Sequence, residues 1–372
     1  MSEISASGDR RPKQRGLASR LNYILATPRF QAWAARFPLT RPFVRRDGEA
    51  LFDLVAGFCH SQALMALVEL RIPDALMDGP LGAATLGRRC DVPADRMQVL
   101  LRAGVSMKLL KLRRDGQFAL ARKGAALVGV PGLREMILHH NVLYDDLSDP
   151  VAFFRGEVDT KLAEFWPYVF GAGGQRDPQV AATYSNLMAQ SQLMVAEDTL
   201  SAVSFSGTEM LMDIGGGTGA FLRAALETAP KMNGILFDLP EVVAGASMAS
   251  DSRITVVGGS FREDRLPQGA DAISLIRILY DHADETIAGL LANVHAALPS
   301  GGRLIISEPM TGGDQPHRAG DAYFALYTMA MRTGRARSAT EIIAACKAAG
   351  FVSAQSVSTP RPFITSVVIA EK

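Results

Sequence analysis

Cysteine is scarce in this chain of 372 residues: Cys59, Cys90 and Cys346 are few, odd in number and far apart, which argues against a disulfide framework and fits thiols in a reducing compartment. A charge excess is missing as well. A net charge of +1 with 21% charged and 48% hydrophobic residues gives no bulk signal for nucleic acid or membrane and describes a globular composition. No uninterrupted apolar run is long enough to cross a bilayer. The opening M-S-E-I-S-A-S-G-D-R-R-P-K-Q-R has no apolar h-region, so no secretory signal is expected and the protein is predicted to be cytoplasmic, with peripheral membrane contact left open. The length exceeds the usual size of one domain and predicts at least two.

The informative stretch is Leu211 to Phe221, L-M-D-I-G-G-G-T-G-A-F. Leu211, Met212 and Ile214 suit a buried strand, and Gly215, Gly216, Gly217 and Gly219 remove the side chains that would keep a ligand from the following turn. Such a turn also joins strand to helix for steric reasons alone, and Gly215-x-Gly217-x-x-Ala220 satisfies a loose dinucleotide fingerprint. Asp213 discriminates. A carboxylate at the mouth of this strand repels a pyrophosphate but suits an ammonium or sulfonium group, and S-adenosylmethionine carries both.

Residues 1–47 form a basic arm, in which Arg10, Arg11, Lys13, Arg15, Arg20, Arg29, Arg36, Arg41, Arg45 and Arg46 precede Asp47 with only Glu3 and Asp9 against them. Leu21, Tyr23, Ile24, Phe30, Trp33 and Phe37 are interleaved with these cations. That pattern can lie on an anionic bilayer surface, wrap a partner subunit or pack on its own domain. Residues 48–200 read as a second, mainly helical region. Leu51, Leu54, Val55, Phe58, Leu64, Leu67 and Leu70 recur at helical spacing. Residues 84–128 then outline a winged helix, with a helix opened by Pro93-Ala94-Asp95-Arg96 and strands at Leu110–Leu112 and Phe118–Leu120 around Asp115-Gly116. The second helix is too apolar, through Met97, Leu100, Leu101 and Val105, to offer bases a polar face, so a buried or dimer-forming helix is expected and no nucleic-acid partner. From Gly132 to Leu200 the chain is rich in Met and aromatics, suited to roofing an apolar pocket or to inter-domain packing. His139 and His140 have no convincing companions as metal ligands, and no metal is expected.

Residues 201–372 alternate strand and helix. Gly234 to Asp238 is a second strand ending in an acid about 20 residues beyond the glycines, where a carboxylate can accept both ribose hydroxyls. Ile254 to Val257, Ala272 to Leu279 and Arg303 to Glu308 are further strands, with helices at Thr286 to Leu298 and Thr340 to Ala349. Ser353 to Ser358 and Phe363 to Ala370, joined through Pro360-Arg361-Pro362, must pair antiparallel. The expected fold is α/β: a Rossmann-like class I methyltransferase sheet, parallel with a final antiparallel hairpin, preceded by a mainly α winged-helix dimerisation domain.

L-M-D-I-G-G-G-T-G, F-D-L-P, V-V-G-G-S-F, R-I-L-Y-D-H and G-R-A-R-S-A-T-E-I-I-A-A-C-K-A-A-G-F, in that order, resemble the S-adenosylmethionine-dependent O-methyltransferases with an N-terminal winged-helix dimerisation domain. The resemblance covers roughly residues 50–372. The basic aromatic arm and the R-I-L-Y-D-H variant are most similar to the carotenoid O-methyltransferases of phototrophic purple bacteria. That likeness implies methylation of the tertiary 1-hydroxyl of an apolar acyclic hydroxycarotenoid, such as demethylspheroidene or hydroxyneurosporene, by a homodimer with S-adenosylmethionine as cofactor. It places Asp213, Gly215, Gly217 and Arg277 in the cofactor site, Asp238 with Leu239 at the ribose, and Ser260 with Phe261 at the adenine. Relatives that methylate phenols carry a histidine where this chain has Tyr280. Asp281 matches their aspartate, His282 replaces a usual aromatic, Glu308 matches a supporting carboxylate, and a second such acid has become Ala336.

An aliphatic tertiary alcohol is far less acidic than a phenol and must lose its proton as the new bond forms. Tyr280 is therefore expected to orient the hydroxyl, with His282 as base and Asp281 as an acceptor or a support for its neighbours; His317 is a more remote candidate. The alternatives are methylation of a tetrapyrrole or aromatic polyketide, a non-catalytic winged-helix regulator that senses S-adenosylmethionine and binds DNA, and a nicotinamide-dependent oxidoreductase.

Overall fold

The computed structural model describes residues 17–164, 192–244 and 251–372. Phe165, Trp166, Tyr168, Phe170, Tyr184 and Met188 of the proposed pocket roof, and the arm before Leu17, lie outside the described residues. The chain divides into two compact units, one ending at Ala121 and the other beginning at Arg122.

The first unit opens with α1 (Leu17–Leu25), α2 (Pro28–Ala34) and α3 (Arg41–Glu69). Thr27 caps α2, its hydroxyl accepting from the Phe30 N–H, and Pro28 fills the first turn, where no hydrogen bond is lost. α3 begins within the basic arm and continues for 29 residues. Although no apolar run is uninterrupted, α3 contains an 18-residue window long and apolar enough, by length and composition, to cross a membrane, and most of it is exposed within the chain. Burial changes along the length of the helix, from an exposed N-terminal half to a buried C-terminal end. Met65, Leu67 and Val68 are buried, whereas Leu51, Phe52, Leu54, Val55 and Phe58 are 65–72% exposed.

The winged helix forms as its turn residues require. α4 (Ile72–Ala75), α5 (Ala83–Cys90) and α6 (Ala94–Ser106) precede β1 (Leu110–Leu112) and β2 (Phe118–Leu120), which pair antiparallel with Leu110 opposite Leu120. Leu67, Ile72, Leu86, Met97, Leu101, Leu110 and Phe118 make one core. The inward face of α6 is apolar, as expected of a packing helix.

The second unit starts with four helices, α7 (Arg122–Gly129), α8 (Leu133–Asp146), α9 (Pro150–Arg155) and α10 (Lys161–Glu164). A helix whose described residues are 192–202 (α11) leads into the sheet. The seven strands are β3 (Met210–Ile214), β4 (Asn233–Asp238), β5 (Ile254–Gly258), β6 (Ala272–Ile276), β7 (Arg303–Glu308), β8 (Ser353–Val357) and β9 (Ser366–Glu371), in the order β5-β4-β3-β6-β7-β9-β8. β3 to β7 run parallel and β9 pairs antiparallel with both β7 and β8. α12 (Ala220–Thr228), α13 (Pro240–Ala244), α14 (Asp284–Ala297) and α16 (Ala339–Ala348) connect the strands, and a π-helical turn, Arg318–Phe324, runs into α15 (Ala325–Met331). Ser338 and Glu341 close a capping box on α16. Two apolar clusters, on Met212, Ile273 and Leu291 and on Leu211, Leu222 and Leu236, bury the sheet.

The order reverses between β3 and β6, so a crevice opens at the carboxyl ends of these two strands, where doubly wound sheets hold ligands. β6 ends three residues earlier than its apolar run predicts. Arg277 takes a left-handed conformation (φ 59°), and Leu279–Asp281 form a 3₁₀ turn. The run stays apolar because Leu279 and Tyr280 are buried in the turn itself.

Candidate active site

The cofactor half is assembled from local sequence. Gly215 has φ 66° and Gly217 φ 59°, a backbone region that side-chained residues adopt at a cost, and a Cβ on Gly217 would meet nothing within 4 Å. That open, Cβ-free cradle sits at the end of β3. Asp213 lies beneath it, with Oδ1 accepting from the Ser274 hydroxyl (2.6 Å), while Oδ2 is buried without a partner and would lie 2.5 Å from a Cβ on Gly216. An orphaned carboxylate oxygen facing the glycine turn fits an approaching cation. Burial, opposed by the Ser274 bond and assisted by Asp238, raises Asp213 to about 7.

That shift has a measurable sign. Near neutrality part of the free protein holds Asp213 protonated, and a bound cation favours its ionised form. Cofactor affinity should therefore rise with pH and level off above about 7, with a proton released on binding below that point. Calorimetry in buffers of different ionisation enthalpy reads this release, and a pH-independent heat would contradict it.

Asp238, at the end of β4, accepts from the Gly217 N–H through Oδ2 and from the Leu239 N–H through Oδ1, both at 2.7 Å. It thus fixes the glycine turn and leaves lone pairs on both oxygens for a diol. Burial raises its pKa, with the two N–H bonds opposing that rise. At the neighbouring strand end the Ser260 N–H donates to Asp264, and Phe261 packs edge-on against His282 at 5.2 Å. Asp213, Gly215, Gly217, Asp238 and Leu239 surround one strand-end crevice, and Ser260, Phe261 and His282 share a neighbouring cluster.

His282 is not placed as a free base. Its Nδ1 accepts from Arg262 Nη2 (3.0 Å), and burial, Arg262 and Arg337 lower its pKa to about 4. Tyr280 is 1% exposed; its hydroxyl accepts from Arg277 Nη2 (3.1 Å), and burial raises its pKa. Burial pushes Asp281 well above the ordinary carboxylate range despite the nearby Arg277, and leaves Oδ1 unpartnered. Glu308 supports the turn through its backbone, accepting the Tyr280 N–H at Oε2 (3.2 Å), and burial raises it to about 7. His317 is exposed and caps the π-turn through Nδ1.

Several structural partners had no motif to mark them. Ser274 is one polar residue in the apolar strand A-I-S-L-I, a weak signal visible in hindsight. Arg337 is 3% exposed and donates to the carbonyls of Leu279 and His282, to Asp284 and to the Arg335 carbonyl, clamping the turn from outside. Tyr323 and Tyr327 carried no signal either, and they meet the His139–His140 pair in a row of rings beside Arg277. Among the described residues no three His, Cys, Asp or Glu side chains converge as a metal site.

A doubly wound sheet with an antiparallel hairpin, a Cβ-free cradle above an orphaned carboxylate and an acid at the end of the next strand that ties down the glycine turn define a class I S-adenosylmethionine-dependent methyltransferase. Residues 144–352 match the O-methyltransferase domain and residues 52–128 the O-methyltransferase dimerisation domain. The chain belongs to this O-methyltransferase family, and the dimerisation domain supports a homodimer. It is 53% identical to a demethylspheroidene O-methyltransferase of Cereibacter sphaeroides over 97% of both chains. It is 49% identical to one of Rhodobacter capsulatus over 97% of this chain and 91% of that one. Among solved structures, human N-acetylserotonin methyltransferase in complex with SAM aligns with a TM-score of 0.72 and 25% identity, covering 88% and 97% of the two chains.

Proposed function

We propose that this enzyme transfers the methyl group of S-adenosylmethionine to the tertiary 1-hydroxyl of an acyclic hydroxycarotenoid of the demethylspheroidene or 1-hydroxyneurosporene type. The observation that carries the reading is the 53% identity to a demethylspheroidene O-methyltransferase along nearly the whole of both chains. The site chemistry agrees. A tyrosine stands where phenol-methylating relatives have a histidine base, and a tertiary alcohol gains little from full prior ionisation.

S-Adenosylmethionine supplies an electrophilic methyl group on a positive sulfur. The chain's own part is positioning: Asp213, Gly215, Gly217 and Arg277 hold the amino-acid end, Asp238 and Leu239 the ribose, and Ser260 and Phe261 the adenine. Tyr280, neutral at physiological pH, orients the acceptor side together with Arg277. His282, held by Arg262 beside Phe261, borders the adenine, and Asp281 supports the turn. Purified enzyme given labelled S-adenosylmethionine and a 1-hydroxycarotenoid in detergent should place label in the ether product. No transfer, alongside robust transfer to a tetrapyrrole or phenolic polyketide, would overturn the acceptor.

The apolar acceptor also gives the basic arm a use. Leu21, Tyr23, Ile24, Trp33 and Phe43 are each more than half exposed, among the exposed Arg29, Arg36, Arg41, Arg45 and Arg46. We read the arm as a peripheral contact between a cytoplasmic enzyme and the anionic photosynthetic membrane, where its substrate is dissolved. Flotation with phosphatidylglycerol vesicles should recover the enzyme at low salt and lose it when Arg29, Arg36 and Arg41 are all changed to Glu; equal flotation of the variant would refute the contact.

A further inference from the structure

Methyl transfer to an alcohol needs somewhere for the proton to go, and at the 280–282 turn Asp281 is buried, which favours its protonated form and leaves it a poor acceptor. Tyr280 is engaged by Arg277 and His282 by Arg262. A different set of titratable groups lines the wall formed by α8, the π-turn and α15. His140 Nε2 lies 2.7 Å from the Tyr323 hydroxyl, and His139 Nε2 lies 3.0 Å from the Tyr327 hydroxyl. The two tyrosines stack (6.2 Å between ring centres, 30° between planes), and Tyr323 meets His140 edge-on at 5.4 Å. The row adjoins the donor side: the positive charge of Arg277, which leaves β6 beside the glycine turn, acts on Tyr323, Tyr327 and Tyr280 alike.

We propose that Tyr323 receives the acceptor's proton and passes its own to His140, the pair forming the proton exit of the methyl transfer. The inference rests on the alcohol acceptor of the preceding reading. As the new C–O bond forms, the C–S bond breaks with its electron pair staying on sulfur. The oxygen, now carrying three bonds to carbon and hydrogen, is a strong acid. Its O–H bond breaks toward the Tyr323 oxygen while the phenolic proton moves to His140 Nε2, and the imidazolium then returns the proton to water.

A weak base is sufficient at that moment, because the acidity of the oxygen rises steeply as the bond forms. Burial lowers His140 below its ordinary value, so it is neutral at physiological pH and ready to accept. His139 is lowered to about 4 by burial and by His140. Tyr323 is half-buried, whereas Tyr327 is 8% exposed, so Tyr323 is the ring a ligand can reach and the Tyr327–His139 pair buttresses it.

The charges on the packing elements leave this assignment intact. On α8 itself Tyr144 stands edge-on to His140 at 6.2 Å, and Asp145 is paired with Lys161 of α10. Asp146 accepts the N–H groups of Lys161 and Leu162. Arg122 and Lys123 of α7 are exposed. On the π-turn Asp321 accepts the N–H groups of Gly312 and His317, and past α15 Arg332 pairs with Asp159.

The test uses full-length enzyme and the variants His140→Gln, Tyr323→Phe and both together. Each single variant should lower kcat about 10²- to 10³-fold, with KM and S-adenosylhomocysteine affinity changed less than threefold. The double variant should be no slower than the slower single one. The acid limb of the wild-type pH–rate profile, set below the ordinary histidine range, should vanish in His140→Gln. Independently of turnover, ¹⁵N NMR of the histidines at neutral pH should find His140 Nε2 without a proton. An Nε2–H tautomer, additive losses, or an acid limb unchanged in His140→Gln would each overturn the relay. Failure of wild-type enzyme to methylate any carotenoid alcohol would sink the acceptor class alone, since the tautomer still decides the relay.

Discussion

Asp238→Ala is expected to weaken S-adenosylhomocysteine binding by about 10²- to 10³-fold in calorimetry. On the proposed reading the carboxylate accepts charge-assisted hydrogen bonds from both ribose hydroxyls, each worth about 1.5–3 kcal/mol, and ~1.4 kcal/mol corresponds to tenfold in affinity. The variant also releases the N–H of Gly217 and that of Leu239, which loosens the turn that receives the amino-acid end. Those N–H groups are half-exposed and water can satisfy them, so the stability cost should stay near ~1 kcal/mol and the melting temperature should fall by only a few degrees. Asp238→Asn, which keeps one acceptor oxygen, should fall between. Normal binding by Asp238→Ala would mean that the ribose lies elsewhere.

Gly334→Ala should damage catalysis by displacing the 279–282 turn. A Cβ at Gly334 would lie 2.6 Å from the His282 nitrogen and closer still to the Tyr280 carbonyl oxygen and the Asp281 carbonyl carbon. These are backbone atoms of the turn, so no flexible side chain can swing aside and the turn itself must shift. Overpacking of this kind costs roughly 1–3 kcal/mol, and a displacement of about 1 Å near reacting groups can cost about 10²-fold in rate. The expected result is a kcat near 1% of wild type and a lowered melting temperature, with a smaller loss of S-adenosylhomocysteine affinity than in Asp238→Ala. Wild-type kcat and melting temperature together would show that the turn has slack. The Arg337 clamp, which holds Leu279 and His282 by their carbonyls, argues that it has little.

The contrast between these two positions shows how far the sequence could be read. Asp238 stands at a fixed interval after the glycine turn, because one helix and the next strand must intervene, so its place beside that turn follows from counting. Gly334 carries no such signal. It lies between α15 and α16 in G-R-A-R-S, and its meaning comes from a backbone that passes it from more than fifty residues earlier. The premature end of β6 is similar. Apolar residues continue through Leu279 and Tyr280 because both are buried, and composition does not separate a buried strand from a buried turn. His139 and His140 were visible as a pair, but metal ligation was the only chemistry their spacing suggested. Their partners, Tyr323 and Tyr327, lie 183 and 188 residues away.

By itself the sequence determined the doubly wound sheet with its closing hairpin, the winged helix and the identity of the methyl donor. Each of these depends on residues close together in the chain, where strand and helix periods and glycine turns act locally. Only the tertiary structure brought together the residues that we place on the acceptor side. Packing of α8 against α15 and of the 333–337 segment against the 279–282 turn brings together side chains that no spacing rule connects, and it is this long-range packing that holds His282 beside Phe261 and sets Tyr323 against His140.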